Sequence, residues 1–197
     1  MKASKISADP IGWWQSQIGA VAPVGYALRA HFCERWTRFH SLAESKRYAE
    51  SAAEKQELIK RHTEVASALF NPGERLYVYQ SRLSESRKQL RCKHEVARRQ
   101  LRESTMRSRA NPDTVATGDD DLFLSRALVT SWKPDFFELL VREVSEEREY
   151  MVTIASPDTQ NIYCPYDGGM DIFVSSVSPS ALGAQFLLWQ SERPDKL

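Results

Sequence analysis

The chain is poor in the residues that build several common kinds of site. It has three cysteines and four histidines in 197 residues. Cys33, Cys92 and Cys164 lie far apart, and no two have the spacing of a zinc knuckle or a redox dithiol. They read as free thiols of a reducing compartment. His31, His40, His62 and His94 fall in no His-Glu-x-x-His pattern, and there is no Gly-x-Ser-x-Gly elbow. The N-terminus lacks the apolar core of a signal peptide. No run approaches the roughly 20 apolar residues of a membrane span. The net charge is only +1, so the field of the whole chain selects neither nucleic acid nor a membrane. These absences point to a cytoplasmic protein without metal or cofactor, whose function is binding and not catalysis.

What is present suits one folded domain over residues 1–197. Apolar residues make up 42% of the chain, enough for a core that needs no disulfide. Asp9-Pro10 starts a helix carrying Trp13, Trp14 and Ile18, and Ala22-Pro23 starts a second. Trp36 to Leu42 alternates as a strand does, with Trp36, Arg38, His40 and Leu42 on one face. Ser51 and Glu54 form a capping box for a helix that runs to about Phe70 and stops at Asn71-Pro72-Gly73. Further strands are expected at Leu76–Gln80, Arg126–Trp132 and Tyr150–Ala155. Lys133-Pro134 opens a helix with Phe136, Phe137, Leu140, Val141 and Val144 inward and Glu138, Glu143, Glu146 and Glu147 outward. Ser178-Pro179 opens a last helix with Leu182, Phe186 and Trp189. The run of strands after residue 149 favours antiparallel pairing. The fold class is therefore α+β, a mostly antiparallel sheet of about five strands with helices packed on it.

Residues 83–121 read as a charged insertion. From Arg87 to Arg109 there are nine Lys or Arg against two acids. The apolar stripe there is thin, so an exposed basic helix is expected, followed by a flexible connection. Without interleaved aromatics it offers no stacking platform for bases, which makes nucleic acid an unfavoured partner.

Two strings stand out as candidate sites. Pro165-Tyr166-Asp167-Gly168-Gly169 predicts a hairpin pairing Ile162–Cys164 with Met170–Phe173. The turn is placed at Asp167 to Gly169, with Gly168 at positive φ. Either it is only a turn, or Tyr166, Asp167 and Asp171 project together as a binding edge. The loop after the first strand holds Ser45, Lys46, Arg47 and Tyr48, side chains that suit a phosphate or carboxylate. Its plain reading is a solvated loop paired with local acids. The loop is expected within reach of the hairpin, with Lys46 or Arg47 meeting Asp167 or Asp171. His62 sits on an apolar helical stripe and reads as a satisfied histidine at the core edge; a metal site from His40 and His62 has no spacing behind it.

Several strings resemble those of an uncharacterised bacterial family. Trp36-Thr-Arg-Phe-His-Ser-Leu-Ala-Glu-Ser-Lys-Arg-Tyr-Ala-Glu50 resembles its R-x-H-S-L-P-x-S-K-R-Y stretch. Arg61-His62-Thr-Glu-Val65 resembles its R-H-N-x-V helix, and Ile162-Tyr-Cys-Pro-Tyr-Asp-Gly-Gly-Met-Asp171 its Y-x-P-Y-D-G-G-x-D hairpin. Trp189-Gln-Ser-Glu-Arg-Pro-Asp-Lys-Leu197 resembles its closing W-L-S-x-x-P-x-G-L. Ala43 and Lys196 depart from the pattern, standing where the family often has proline and glycine. The resemblance brings no established activity. By analogy of context it implies an accessory protein encoded beside a secreted toxin.

Three functions are carried forward. The first is an immunity protein that neutralises a cognate toxin by direct contact, its acidic helix face slightly favoured over the basic run. The second is an enzyme or a small-ligand or phosphate-binding protein using His40, Lys46, Arg47 and Asp171 around the 40–48 loop and the 163–171 hairpin. The third is a nucleic-acid-associated protein acting through 87–109.

Overall fold

A computed structural model describes residues 9–83, 105–109 and 122–190. Helix α1 (Pro10–Gln17) begins where Asp9 accepts from the Ile11 N–H at 3.0 Å. Helix α2 (Gly25–His31) follows, then strand β1 (Trp36–His40). Helix α3 (Ala52–Leu69) starts at the expected capping box, the Glu54 N–H donating to Ser51 Oγ and the Ser51 N–H to Glu54 Oε2, both at 3.1 Å. Then come β2 (Arg75–Leu83), β3 (Thr105–Arg109), β4 (Leu122–Ser131) and α4 (Pro134–Ser145). Strands β5 (Val152–Ala155), β6 (Ile162–Tyr166) and β7 (Gly169–Phe173) precede α5 (Pro179–Gln185), capped by Ser178.

The strands form one seven-stranded sheet in the order β1-β7-β6-β5-β2-β4-β3, and every pairing is antiparallel. Each face carries its own apolar core, so the domain has three layers. On one face α1 and α2 lay Trp13, Trp14, Ala27 and Leu28 against Tyr77, Tyr79, Phe123, Ile162 and Phe173. On the other, α3, α4 and α5 bring Leu58, Val65, Phe137, Val141 and Leu182 against Phe39, Val78, Ile154, Tyr163 and Ile172. The mixed helix-and-sheet reading therefore holds, with seven strands in place of about five.

The strand absent from the expected set comes from the basic segment. Residues 105–109, expected within an exposed basic helix, are strand β3; the rest of that segment, 87–104, lies outside the described residues, as do 84–86 and 110–121. Their alternation is real but weak: Met106 and Ser108 are buried while Arg107 is exposed. Only one of these five residues is strongly apolar, so the strand depends on its ladder with β4, Met106 opposite Ser125 and Ser108 opposite Phe123. Strand β4 itself starts at Leu122, four residues before the expected Arg126.

Strand ends also differ from expectation. Strand β1 stops at His40, and Leu42 joins the core on the Phe39 side, not the His40 side. Strand β5 starts at Val152 because Met151 takes a left-handed φ of 52° that breaks the extended run at Tyr150. Trp189 lies beyond α5, in a 3₁₀ turn.

The hairpin is present, with Ile162 opposite Phe173 and Tyr166 opposite Gly169. Its turn is Asp167-Gly168 alone. Gly168 does not hold the expected positive φ, which in this chain belongs to Gly19 and Gly73 among the described glycines. The constrained glycine is Gly169. A Cβ there would collide with the Phe39 carbonyl oxygen and stand 2.8 Å from the Tyr166 hydroxyl. At Gly168 a Cβ would meet nothing nearer than Tyr166 Cε2, at 3.4 Å. Gly169→Ala is expected to lower stability by about 1–3 kcal/mol through overpacking, and Gly168→Ala by clearly less. Urea unfolding of both variants checks this; equal losses would show that close approach to β1 is not what Gly169 provides.

Candidate functional site

The edge formed by β1, β7 and β6 gathers most of the candidate residues. Antiparallel register places Arg38 opposite Asp171. Arg38 donates through Nε to Asp171 Oδ1 at 2.8 Å and through Nη2 to Oδ2 at 3.2 Å. Trp36 Nε1 donates to the same Oδ1 at 2.8 Å. The guanidinium lies 5.5 Å from the Trp36 ring centre and 5.1 Å from that of Tyr166. Asp171 is 4% exposed. It does not project at the hairpin tip with Tyr166 and Asp167 as expected, because its register position faces inward, under α2. Burial pushes the neighbouring Tyr166 phenol up to about 12.

The 45–48 loop does reach the hairpin. Two consecutive residues, Glu44 and Ser45, take left-handed φ values of 53° and 57° and turn the chain back. Ser45 Oγ lies 3.2 Å from His40 Nε2. Burial, together with Arg38 and Arg61, holds His40 below its ordinary value. Arg47 Nε donates to Asp167 Oδ2 at 2.5 Å. The Tyr48 hydroxyl donates to Glu147 Oε1 at 2.6 Å, with Asp167 Oδ2 3.3 Å away. That bond to Glu147 raises the Tyr48 phenol to about 12. Lys46 meets neither Asp167 nor Asp171. It turns to α3, donating to Glu54 at 2.7 Å and Glu50 at 3.0 Å. With that lysine and two backbone N–H groups bonded to it, the Glu54 carboxyl falls to about 2.

The acidic outer face of α4 and the turn after it is largely paired. Glu143 accepts from Arg148 at 2.8 Å, Glu146 also binds Arg148, and Glu138 stands 4.0 Å from Arg142. Glu147, at a left-handed φ of 55°, faces the loop through Tyr48. The two candidate faces thus meet at Tyr48, a junction that sequence spacing gives no way to see.

A third group lies in the core. His62 on α3 places Nε2 2.7 Å from Ser41 Oγ and Nδ1 2.5 Å from the Tyr163 hydroxyl. Both ring nitrogens are thereby used, one donating and one accepting in either tautomer. His62 is satisfied as expected, though deep in the core and not at its edge: Ser41 and Tyr163 are fully buried and His62 is 1% exposed. That arrangement has the ordering of a nucleophile–base–orienter chain, but solvent and substrate have no route to it in this state. It also removes His62 from any metal site with His40. Among the described residues no group of three or more His, Cys, Asp or Glu is placed to hold a metal ion. Cys33 is exposed and Cys164 buried, both free, and Cys92 lies outside the described residues. No described helix is long and apolar enough to cross a membrane.

The model of a family described as a domain of unknown function (DUF3885) matches residues 24–182. The chain belongs to that family. The matched span contains β1, the 45–48 loop, α4 and the β6–β7 hairpin, hence every part of the cluster around Tyr48. No curated protein and no solved structure matches the chain.

Desolvation lowers the His62 imidazole from 6.5 to about 3. Between those values the unfolded chain binds a proton that the folded chain refuses. Stability contributed by the neutral ring is therefore complete above pH 6.5 and is lost as the pH falls. The added slope approaches one proton, about 1.4 kcal/mol per pH unit. Unfolding free energies measured from pH 5 to 6.5 should rise more steeply in the wild type than in His62→Gln. Parallel lines would show that another group titrates.

Proposed function

We propose that the chain is a non-catalytic binding protein acting on a protein partner, with its contact face centred on Arg47 and Tyr48. The observation that carries this reading is the Tyr48 hydroxyl, which ties the loop, the hairpin turn and the acidic end of α4 into one surface. Both anchors face solvent, the Arg47 side chain 62% and Tyr48 45% exposed. Arginine and tyrosine are favoured at energetically dominant interface positions, tyrosine because it covers a large area with two torsions and arginine because its planar guanidinium presents several donors in a fixed fork. The Arg47 guanidinium lies 5.3 Å from the Tyr48 ring centre, which preorganises the pair. Glu147 and Asp167 flank them, so a partner surface carrying basic groups finds carboxylates at the rim. A nucleic-acid-directed secreted toxin has such a surface, and the analogy of context drawn from the sequence resemblance is to a secreted toxin. An immunity role follows as the reading's finer form.

The small-ligand reading has less support. Its proposed cations are committed, Lys46 to Glu50 and Glu54 and Arg47 to Asp167, and Asp167 repels an incoming anion. The nucleic-acid reading rests on 87–109, of which 87–104 lie outside the described residues and 105–109 form β3.

Proteins of the native host that co-purify with the chain are identified by mass spectrometry and then titrated in purified form by calorimetry. Arg47→Ala/Tyr48→Ala should weaken the genuine partner at least about tenfold while leaving the melting temperature close to wild type, since both side chains sit at the surface. Undiminished affinity would move the interface elsewhere. Turnover of a small substrate that His40→Ala abolishes would overturn the non-catalytic reading.

A further inference from the structure

Residues of helices α3 and α4 line a cavity of 360 Å³, within the range of about 300–1,000 Å³ common to small-molecule sites. Its walls follow from helical periodicity. Lys55, Leu58 and Ile59 occupy one stripe of α3, spaced i, i+3, i+4, and Arg142, Ser145 and Glu146 repeat that spacing along α4 and its end. Tyr48 and Ala49 close one end. Leu58 and Ile59 are buried, so the floor is apolar. The rims are charged and not symmetric in sign.

The two rim cations are loosely held. Lys55 Nζ is 4.0 Å from Glu146, and Arg142 Nη2 is 4.0 Å from Glu138, both at the outer limit of an ion pair. Each side chain is more than half exposed, 55% and 51%. Glu146, the acid of the lining, is in contact with Arg148 from outside the cavity. Arg148, shared with Glu143, offsets part of its charge, and the lining itself holds two cations, Lys55 and Arg142, against this one acid over an apolar floor. The Ser145 hydroxyl is turned back to the Arg142 carbonyl at 3.1 Å and adds no competing donor.

We propose that this cavity binds a small organic anion on a short apolar stem, of the aryl- or alkyl-carboxylate class. The carboxylate sits between Lys55 and Arg142, and the stem lies on Ala49, Leu58 and Ile59. The site goes beyond the partner-binding reading and does not depend on it, although Tyr48 borders both. Re-aiming two exposed cations costs little, because neither gives up a close partner. A carboxylate held by them gains charge-assisted hydrogen bonds that a neutral isostere cannot make.

The test is a set of ¹H–¹⁵N NMR titrations of the whole chain with benzoate, benzamide, benzylamine and hexanoate. Benzoate and hexanoate should bind in the millimolar range expected of fragments. Shifts should concentrate at Tyr48, Ala49, Lys55 to Ile59 and Arg142 to Glu146. Benzoate should bind at least about fivefold more tightly than benzamide, and benzylamine more weakly still. Lys55→Gln/Arg142→Gln changes only exposed side chains of good helix formers, and should bring benzoate down to the benzamide level with an unchanged melting curve. Benzamide or benzylamine equalling benzoate would overturn the proposal. So would full benzoate affinity in the double variant, or shifts confined to other parts of the sheet. A result against Arg47 and Tyr48 as the protein-binding face would leave it standing, since neither Lys55 nor Arg142 is altered in that experiment.

Discussion

Arg38 and Asp171 face each other across the β1–β7 ladder, and much of the molecule's geometry depends on that pairing. The pair is nearly enclosed, with side chains 13% and 5% exposed. A buried ion pair is weak evidence of stability, because desolvation offsets much of the attraction. Its consequence for register is stronger. Side chains alternate faces along a strand, so a one-residue slip would drive Arg38 toward the core that holds Phe39 and Met170 and leave a charge there without its partner. The pair thus discriminates strongly against the wrong register even where it adds little to the right one. That matters for β1, an edge strand that pairs with β7, the last of the described strands, and not with a sequence neighbour.

Register then fixes what lies beyond the strand ends. With Arg38 opposite Asp171, His40 stands opposite Gly169, and the Ser41 N–H donates to the Gly168 carbonyl at 3.1 Å. The chain leaving β1 is therefore held against the hairpin turn before it bends at Glu44 and Ser45. Arg47 arrives over Gly168, its Cγ 3.5 Å from where a Cβ on that glycine would be, and meets Asp167. The exposed contact is weak by itself. It is well placed because a buried pair and a ladder of backbone bonds have already determined where its two halves can be.

Helices were the legible part of the sequence, and the reason is local. The Asp9, Ser51 and Ser178 caps act within three residues of the groups they satisfy, and the apolar stripes of α3 and α4 repeat every turn. The β6–β7 hairpin was legible for the same reason. Strand β3 was not, because its evidence is its partner β4 and not its own composition. The site divides along the same line. That the 45–48 loop meets the hairpin was readable from two unusual strings. The inward direction of Asp171 was not, since it depends on β1 lying beside β7. Nor was the Ser41–His62–Tyr163 chain, whose members come from three separate elements; a histidine within an apolar helical stripe was its only signal. Gly169 shows a subtler failure: a glycine pair marks a tight turn, but only the strand crossing beside it tells which glycine is needed for space.

Charge in this molecule is arranged by neighbourhood, which explains why the net value is uninformative. Lys46 belongs to Glu50 and Glu54, Arg47 to Asp167, and Arg148 to Glu143 and Glu146. Arg148 contacts Glu146 more closely than Lys55 does, and Lys55 and Arg142, on the two walls of the groove, are left with partners at 4.0 Å. The same turn that carries Glu146 and Arg148 also presents Glu147 to Tyr48. One short segment, Glu146 to Arg148, therefore sets the sign of two neighbouring surfaces in opposite senses. It adds Glu147 to the rim around Tyr48, and through Arg148 it offsets part of the charge of Glu146, the one acid of the groove's lining. Two surfaces of opposite preference can then lie side by side on a chain whose total charge is close to zero.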